Sequence, residues 1–408
     1  MAARAAIETE MPRGARRVLM VQFAGDYREA ALRLGAGGEE TYAAQRYSVE
    51  SVAQIAGLVQ ELAVLVCITD RAYDERLENG VRAIGAGFQD KIPAGKLVSM
   101  IDAHRPTDLI LCTPVREVLH WAVRRRVRTL ALFADSFRAG NVRARYRNRR
   151  LANALNHAVI EWVANHNVNA CRSLEGIGVN RDKIVPWDWA PSVTPEQYQA
   201  KFLYSEQETF ILFYAGSLSE DKGVGDLLRA VSELKRRGVS VSVQLAGPGE
   251  TARFKVLAVK LGIADRTFFL GVLPNNAVVE LMREADAVVV PSRHRSPEGL
   301  PMTIYEAFSS RTPILASDHP MFRGKLTDGL NALTFRAGDA DDLAAKAQLL
   351  FSDSELYGRL SEESRESWRR LQIPVKFREL IERWVRDSEE DRGWIRSYAL
   401  VSGIYEQV

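Results

Sequence analysis

Cysteine is scarce: the chain has only Cys67, Cys112 and Cys171, with no C-x-x-C or Cys/His spacing. That pattern excludes a disulfide scaffold and a zinc ribbon, and it predicts buried free thiols in a reducing compartment. Long apolar runs are missing too. Segments such as 62–68 fall far short of the roughly 20 residues of a membrane-spanning helix. A large excess of one charge sign is absent, since the formal net charge is only +3. Residues 1–16 carry arginine but lack the apolar core of a secretion signal, so a short disordered tail and a cytoplasmic location are expected. What is present is 46% hydrophobic and 26% charged residues, an ordinary globular composition, in a chain longer than one core supports.

Short apolar runs alternate with helical stretches throughout. Runs at 17–23, 62–69, 109–113 and 129–133 read as parallel strands covered on both faces, with helices at 49–62 and 115–123. Pro186, Pro191 and Pro195 mark an interdomain linker. The rhythm then restarts with strands at 210–215, 241–246, 268–270, 287–290 and 313–316. The expected fold class is α/β, with a Rossmann-like domain over 17–190, a second over 196–372 and a cleft between them. A helix over 354–371 is followed by Pro374, and the pattern resumes over 376–385. Residues 373–408 are therefore expected to form a kinked terminal helix that crosses back to the first domain.

The densest chemistry lies in Ser296-Pro297-Glu298-Gly299-Leu300-Pro301-Met302-Thr303-Ile304-Tyr305-Glu306-Ala307. Glu298 falls in a loop and Glu306 about two turns into a helix, a spacing that lets both carboxylates face one cleft. Gly299 allows close backbone approach, and Pro301 suits a first helical turn whose free amides form an anion site. A second motif, Tyr214-Ala215-Gly216-Ser217-Leu218-Ser219-Glu220-Asp221-Lys222-Gly223, aims a fixed cation and a helix start at the same place. Turns at Gly247 and Leu273 follow two further strands. Asp339-Ala340-Asp341 imitates a D-x-D metal motif but precedes a helical run as an N-cap would, so no metal is expected.

These motifs resemble the E-x7-E signature of glycosyltransferase family 4, a retaining GT-B family. The resemblance implies that Glu298 lies by the transferred sugar and that Glu306 holds the donor ribose. It implies that Gly299, Leu300, Pro301, Met302 and Thr303 surround the diphosphate, and that Lys222 neutralises it. By the same resemblance Gly216, Ser217, Gly247 and Leu273 are expected to line the remainder of the donor site. Ser217 stands where the family usually has arginine, and Asp135 where a histidine is usual. Gly37 and Gly38 resemble the family's acceptor-side glycine loop. The implied donor is a nucleoside diphosphate sugar of the UDP or GDP type, used without cofactor or metal. The implied acceptor is a glycan, a lipid-linked sugar or a small molecule. A GT-B phosphorylase, a sugar-phosphate synthase and a non-enzymatic nucleotide-sugar binder stay open as alternatives.

The charge map is uneven between Arg124 and Arg150. Arg124, Arg125, Arg126, Arg128, Arg138, Arg143, Arg145, Arg147, Arg149 and Arg150 share this stretch with Asp135 as its one acid. Such a patch suits phosphates or the anionic inner leaflet of a membrane, or is a plain solvated face. Nucleic acid is not expected, because aromatic residues do not interleave with the arginines.

Overall fold

The computed structural model describes residues 16–137, 140–203 and 209–406. The expected tail, residues 1–15, lies outside them, as does Arg138. Arg16 itself is anchored, its guanidinium bonded to Asp108 at 2.9 Å and Asp387 at 3.1 Å. The chain divides into two compact units. The first holds residues up to Gly38, Gln45–Ala190 and Ile373–Gln407. The second holds Glu39–Ala44 and Pro191–Gln372.

The first unit begins with β1 (Arg17–Gln22), α1 (Tyr27–Gly35), α2 (Gln45–Ala56), β2 (Glu61–Ile68), β3 (Ala72–Arg76), β4 (Arg82–Phe88) and α3 (Ala94–His104). It continues with β5 (Asp108–Leu111), α4 (Arg116–Arg125), β6 (Arg128–Phe133), α5 (Val142–Leu155), β7 (Ile160–His166), α6 (Val168–Gly176) and β8 (Ile184–Trp187). The eight strands form one sheet in the order β3-β4-β2-β1-β5-β6-β7-β8, parallel except for β3. The central strands are apolar in their middles because helices cover both faces, with polar residues such as Arg17, Glu61, Asp108 and Arg128 at their ends. At the edges β3 alternates exposed and half-buried residues, and β8 carries Pro186, which an edge tolerates. Pro186 therefore ends the sheet rather than opening a linker. The helix expected to reach residue 62 stops at Ala56, since Glu61 already starts β2.

The second unit contains β9 (Phe210–Ala215), α7 (Val224–Arg236), β10 (Val241–Ala246), α8 (Thr251–Lys260), β11 (Thr267–Gly271), α9 (Asn275–Glu284) and β12 (Ala287–Val290). It goes on through α10 (Met302–Ser309), β13 (Ile314–Ser317), β14 (Leu333–Phe335), α11 (Ala340–Ser352) and α12 (Ser354–Leu371). Its six parallel strands run in the order β11-β10-β9-β12-β13-β14.

After Pro374 the chain forms two helices, α13 (Phe377–Arg386) and α14 (Glu389–Ser397), where one kinked helix was expected. Asp387, in the left-handed region at φ 57°, separates them. Phe377, Leu380, Ile381 and Trp384 are buried in the first unit's core. The Asp188 amide donates to Val375, and the Phe377 amide donates back to Asp188. The terminal segment is thus part of the first unit's fold.

Candidate active site

A cavity of about 270 Å³ opens in the second unit where β9, β10 and β11 end, the carboxyl edge at which open parallel sheets take ligands. Gly216, Ser217, Gly247, Leu273, Met302, Thr303 and Glu306 line it, together with Thr41, Tyr42 and Asn275. The turn after β10 needs glycine. Gly247 has φ 134°, and a Cβ there would collide with the Gly216 carbonyl. Pro301 is the N-cap of α10 and supplies no capping side chain. The first amides of α10 therefore lack an intrahelical acceptor. The Thr303 hydroxyl donates to the Ala215 carbonyl at 3.2 Å, which pins that first turn to the end of β9.

Glu306 is the acid of the cavity. Burial pushes its carboxyl up to about 7, against a hydrogen bond from Asn275, which lowers it, and the nearby charge of Glu40, which raises it. The Asn275 side-chain amide donates to it at 2.5 Å. The Asn275 backbone amide donates to the Glu40 carbonyl at 2.9 Å, and Asn276 donates to Glu39 at 3.1 Å. Residues 39–44 thus pack with the second unit, although they fall inside the span expected for the first domain.

Glu298 is buried and does not line this cavity. Its Oε1 accepts from Lys222 Nζ at 2.7 Å and from the Ser292 hydroxyl at 2.5 Å. Lys222, expected at a diphosphate, is thus ion-paired to the acid expected at the sugar. The pair sits close to Tyr214, whose hydroxyl is pushed up by burial and then by the Glu298 charge. Leu300 is a core residue rather than a lining one. The basic side chains of the loop after β12 also meet acidic partners. Arg293 bonds Asp226 and Glu220, Arg295 bonds Asp221, and His294 meets Asp318 at 2.7 Å.

Asp135, Gly37 and Gly38 belong to the first unit. Asp135 follows β6 and is half-buried, and burial raises its carboxyl pKa. Its backbone carbonyl accepts from Asn165 at 2.8 Å. Gly37 has φ 82° in the turn after α1, and the Gly38 carbonyl accepts from Arg46 at 3.0 Å. The sequence reading missed Asn275, Ser292 and Tyr42. Pro274 before Asn275 signals a helix start, but nothing in the spacing marks the asparagine as a partner of Glu306. Asp339 caps α11, accepting from the Asp342 amide at 3.0 Å. Among the described residues no cluster of three or more His, Cys, Asp or Glu could hold a metal ion.

Residues 196–367 match the protein family described as glycosyl transferases group 1. The putative glycosyltransferase EpsD of Bacillus subtilis is 28% identical over 197 residues, 48% of this chain and 49% of that protein. Mannosylfructose-phosphate synthase of Agrobacterium fabrum is 29% identical over 160 residues, 37% of this chain and 35% of that protein. The chain spans about half or less of these relatives' length. Among solved structures, sucrose-phosphate synthase from Thermosynechococcus elongatus superimposes with a TM-score of 0.65 at 16% identity, covering 87% of this chain and 95% of that one. Anabaena HepE in complex with UDP gives 0.60 at 15% identity, with the same coverage of 87% and 95%. The fold is accordingly GT-B, with two Rossmann-like units of largely parallel sheet, and residues 196–367 carry a glycosyl transferases group 1 domain.

Proposed function

We propose that the protein transfers a hexose from a nucleoside diphosphate sugar, of the UDP or GDP type, to a glycan or lipid-linked acceptor. One observation carries the reading: Glu306 and the uncapped start of α10 line the same cavity. A carboxylate there accepts the ribose hydroxyls, while the Met302 and Thr303 amides meet the diphosphate. Lys222 moves from Glu298 to the diphosphate as the donor binds, and Glu298 is released to the sugar hydroxyls. The bond from the anomeric carbon to the phosphate oxygen breaks, and a bond to the acceptor oxygen forms on the same face. The acceptor proton passes to the departing phosphate. Configuration is retained, and the leaving charge is held by Lys222 and the helix amides without a metal. Asp135, Gly37 and Gly38 serve the acceptor side. Three free thiols and this donor class suit a cytoplasmic enzyme.

A second reading is favoured by the match to mannosylfructose-phosphate synthase: the acceptor is then a soluble sugar phosphate. A thermal-shift panel of UDP-, GDP-, ADP- and dTDP-sugars tests the donor assignment. The true donor at a hundred times its dissociation constant adds about 2.7 kcal/mol of stability. Incubation with that donor then releases the nucleoside diphosphate, and faster so with the correct acceptor. No stabilisation by any donor overturns the proposal; stabilisation without turnover leaves only a binding protein.

A further inference from the structure

Helix α5 is unlike the other helices of the first unit. Asn148, Leu151, Ala152 and Leu155 bury one face. The opposite face carries Val142 and Tyr146, four residues apart and 80% and 65% exposed. Helical geometry sets Arg145 and Arg149 along one side of this apolar ridge and Arg143, Arg147 and Arg150 along the other. All five arginines are exposed, and none has a carboxylate partner among the described residues. The Arg150 guanidinium lies 5.8 Å from the centre of the Tyr146 ring. Elsewhere in the basic stretch Arg128 is mostly buried, bonded to Asp108 and Glu161 and stacked 4.2 Å from the Trp384 ring, and Arg125 pairs with Asp102. Arg124 and Arg126 are exposed at the end of α4, and the five arginines of α5 flank the one apolar ridge.

We propose that this face of α5 docks on an anionic lipid bilayer. An apolar ridge with an aromatic residue, flanked on both sides by arginine, is the arrangement that lies in a membrane interface. The arginines meet lipid phosphates while Val142 and Tyr146 enter the headgroup boundary. Tyr146 is a single exposed ring among these arginines, too few to stack successive bases of a nucleic acid, and the aliphatic Val142 beside it suits the lipid boundary. The proposal is independent of the donor chemistry, which resides in the other unit.

Flotation of the full chain with vesicles tests it. The protein floats with phosphatidylcholine vesicles containing phosphatidylglycerol, stays behind with pure phosphatidylcholine, and is released by high salt. Replacing Arg143, Arg147 and Arg149 together by serine lowers partitioning roughly a hundredfold, about fivefold for each arginine. The same three changed to lysine keep it. Tyr146→Ser weakens binding several-fold with the charge intact. Donor-induced thermal stabilisation stays unchanged in each variant, which separates failure of docking from failure of the fold or of the donor site. Equal flotation with neutral vesicles, no flotation, undiminished flotation of the triple serine variant, or capture of a short RNA duplex without vesicle binding each overturns the proposal.

Discussion

Glu306 carries a cost that its position explains. Its carboxyl titrates near about 7 in the folded chain, against 4.5 ordinarily. Between those values the folded state holds a proton that the unfolded state has lost, so stability falls as pH rises through this window. Above it the full penalty applies, up to about 3 kcal/mol. Glu306→Gln is expected to raise stability by up to that amount at pH 8 and to leave it unchanged at pH 4, while weakening nucleotide binding. Urea melts at the two pH values and a donor titration check both halves; a variant no more stable at pH 8 contradicts the burial argument. The sequence made this acid visible through its spacing from Glu298. It hid the residue's environment, because Asn275 and Glu40 come from distant stretches of the chain. It also hid the Lys222–Glu298 pair, since spacing along the chain cannot say which distant charges meet in the fold.

At the level of elements, the cavity lined by Glu306 depends on where α10 is placed, and the helix is held at both ends: Thr303 ties its start to β9, and a second set of bonds fixes its far end. Arg311 leaves the helix with φ 60° and is buried. Its guanidinium donates to the Ser361 carbonyl at 2.9 Å, and the Ser361 hydroxyl donates back to the Arg311 carbonyl at 2.6 Å. The neighbouring Thr312 hydroxyl donates to Met282 at 2.7 Å. This latch ties α10 to α12 and to the end of α9. Arg311→Ala is expected to cost about 2–3 kcal/mol, since bonds from a buried charged donor are lost, and to weaken nucleotide binding through a displaced helix start. Calorimetry and titration measure both; lost stability with intact affinity would separate α10 from the binding site. The apolar strands β1, β2, β5 and β6 were legible because burial on both faces leaves a continuous signature. β3 and β8 were not, as edge strands carry polar residues or proline.

For the whole molecule, two α/β units were legible from the restart of the strand–helix rhythm after residue 190. The membership of residues 39–44 in the second unit was not, because it rests on a backbone bond from Asn275 to Glu40 and a side-chain bond from Asn276 to Glu39 rather than on composition. A chain stopped after Gln372 would strip Val375, Leu380, Ile381 and Trp384 from the first unit's core, at about 1.5–3 kcal/mol for each large side chain. Such a truncation is expected to lose the cooperative melting of the first unit and to keep nucleotide-dependent melting of the second. A melt in which both survive would show the terminal helices to be dispensable.

The same layout bears on biosynthesis. Residues 191–372 leave the ribosome as one uninterrupted stretch and can condense at once. The earlier-made sheet must wait for α13 and α14, a delay of roughly ten to forty seconds at ordinary elongation rates. During that interval the newborn sheet shows an uncovered apolar face, which makes it the region most in need of a chaperone.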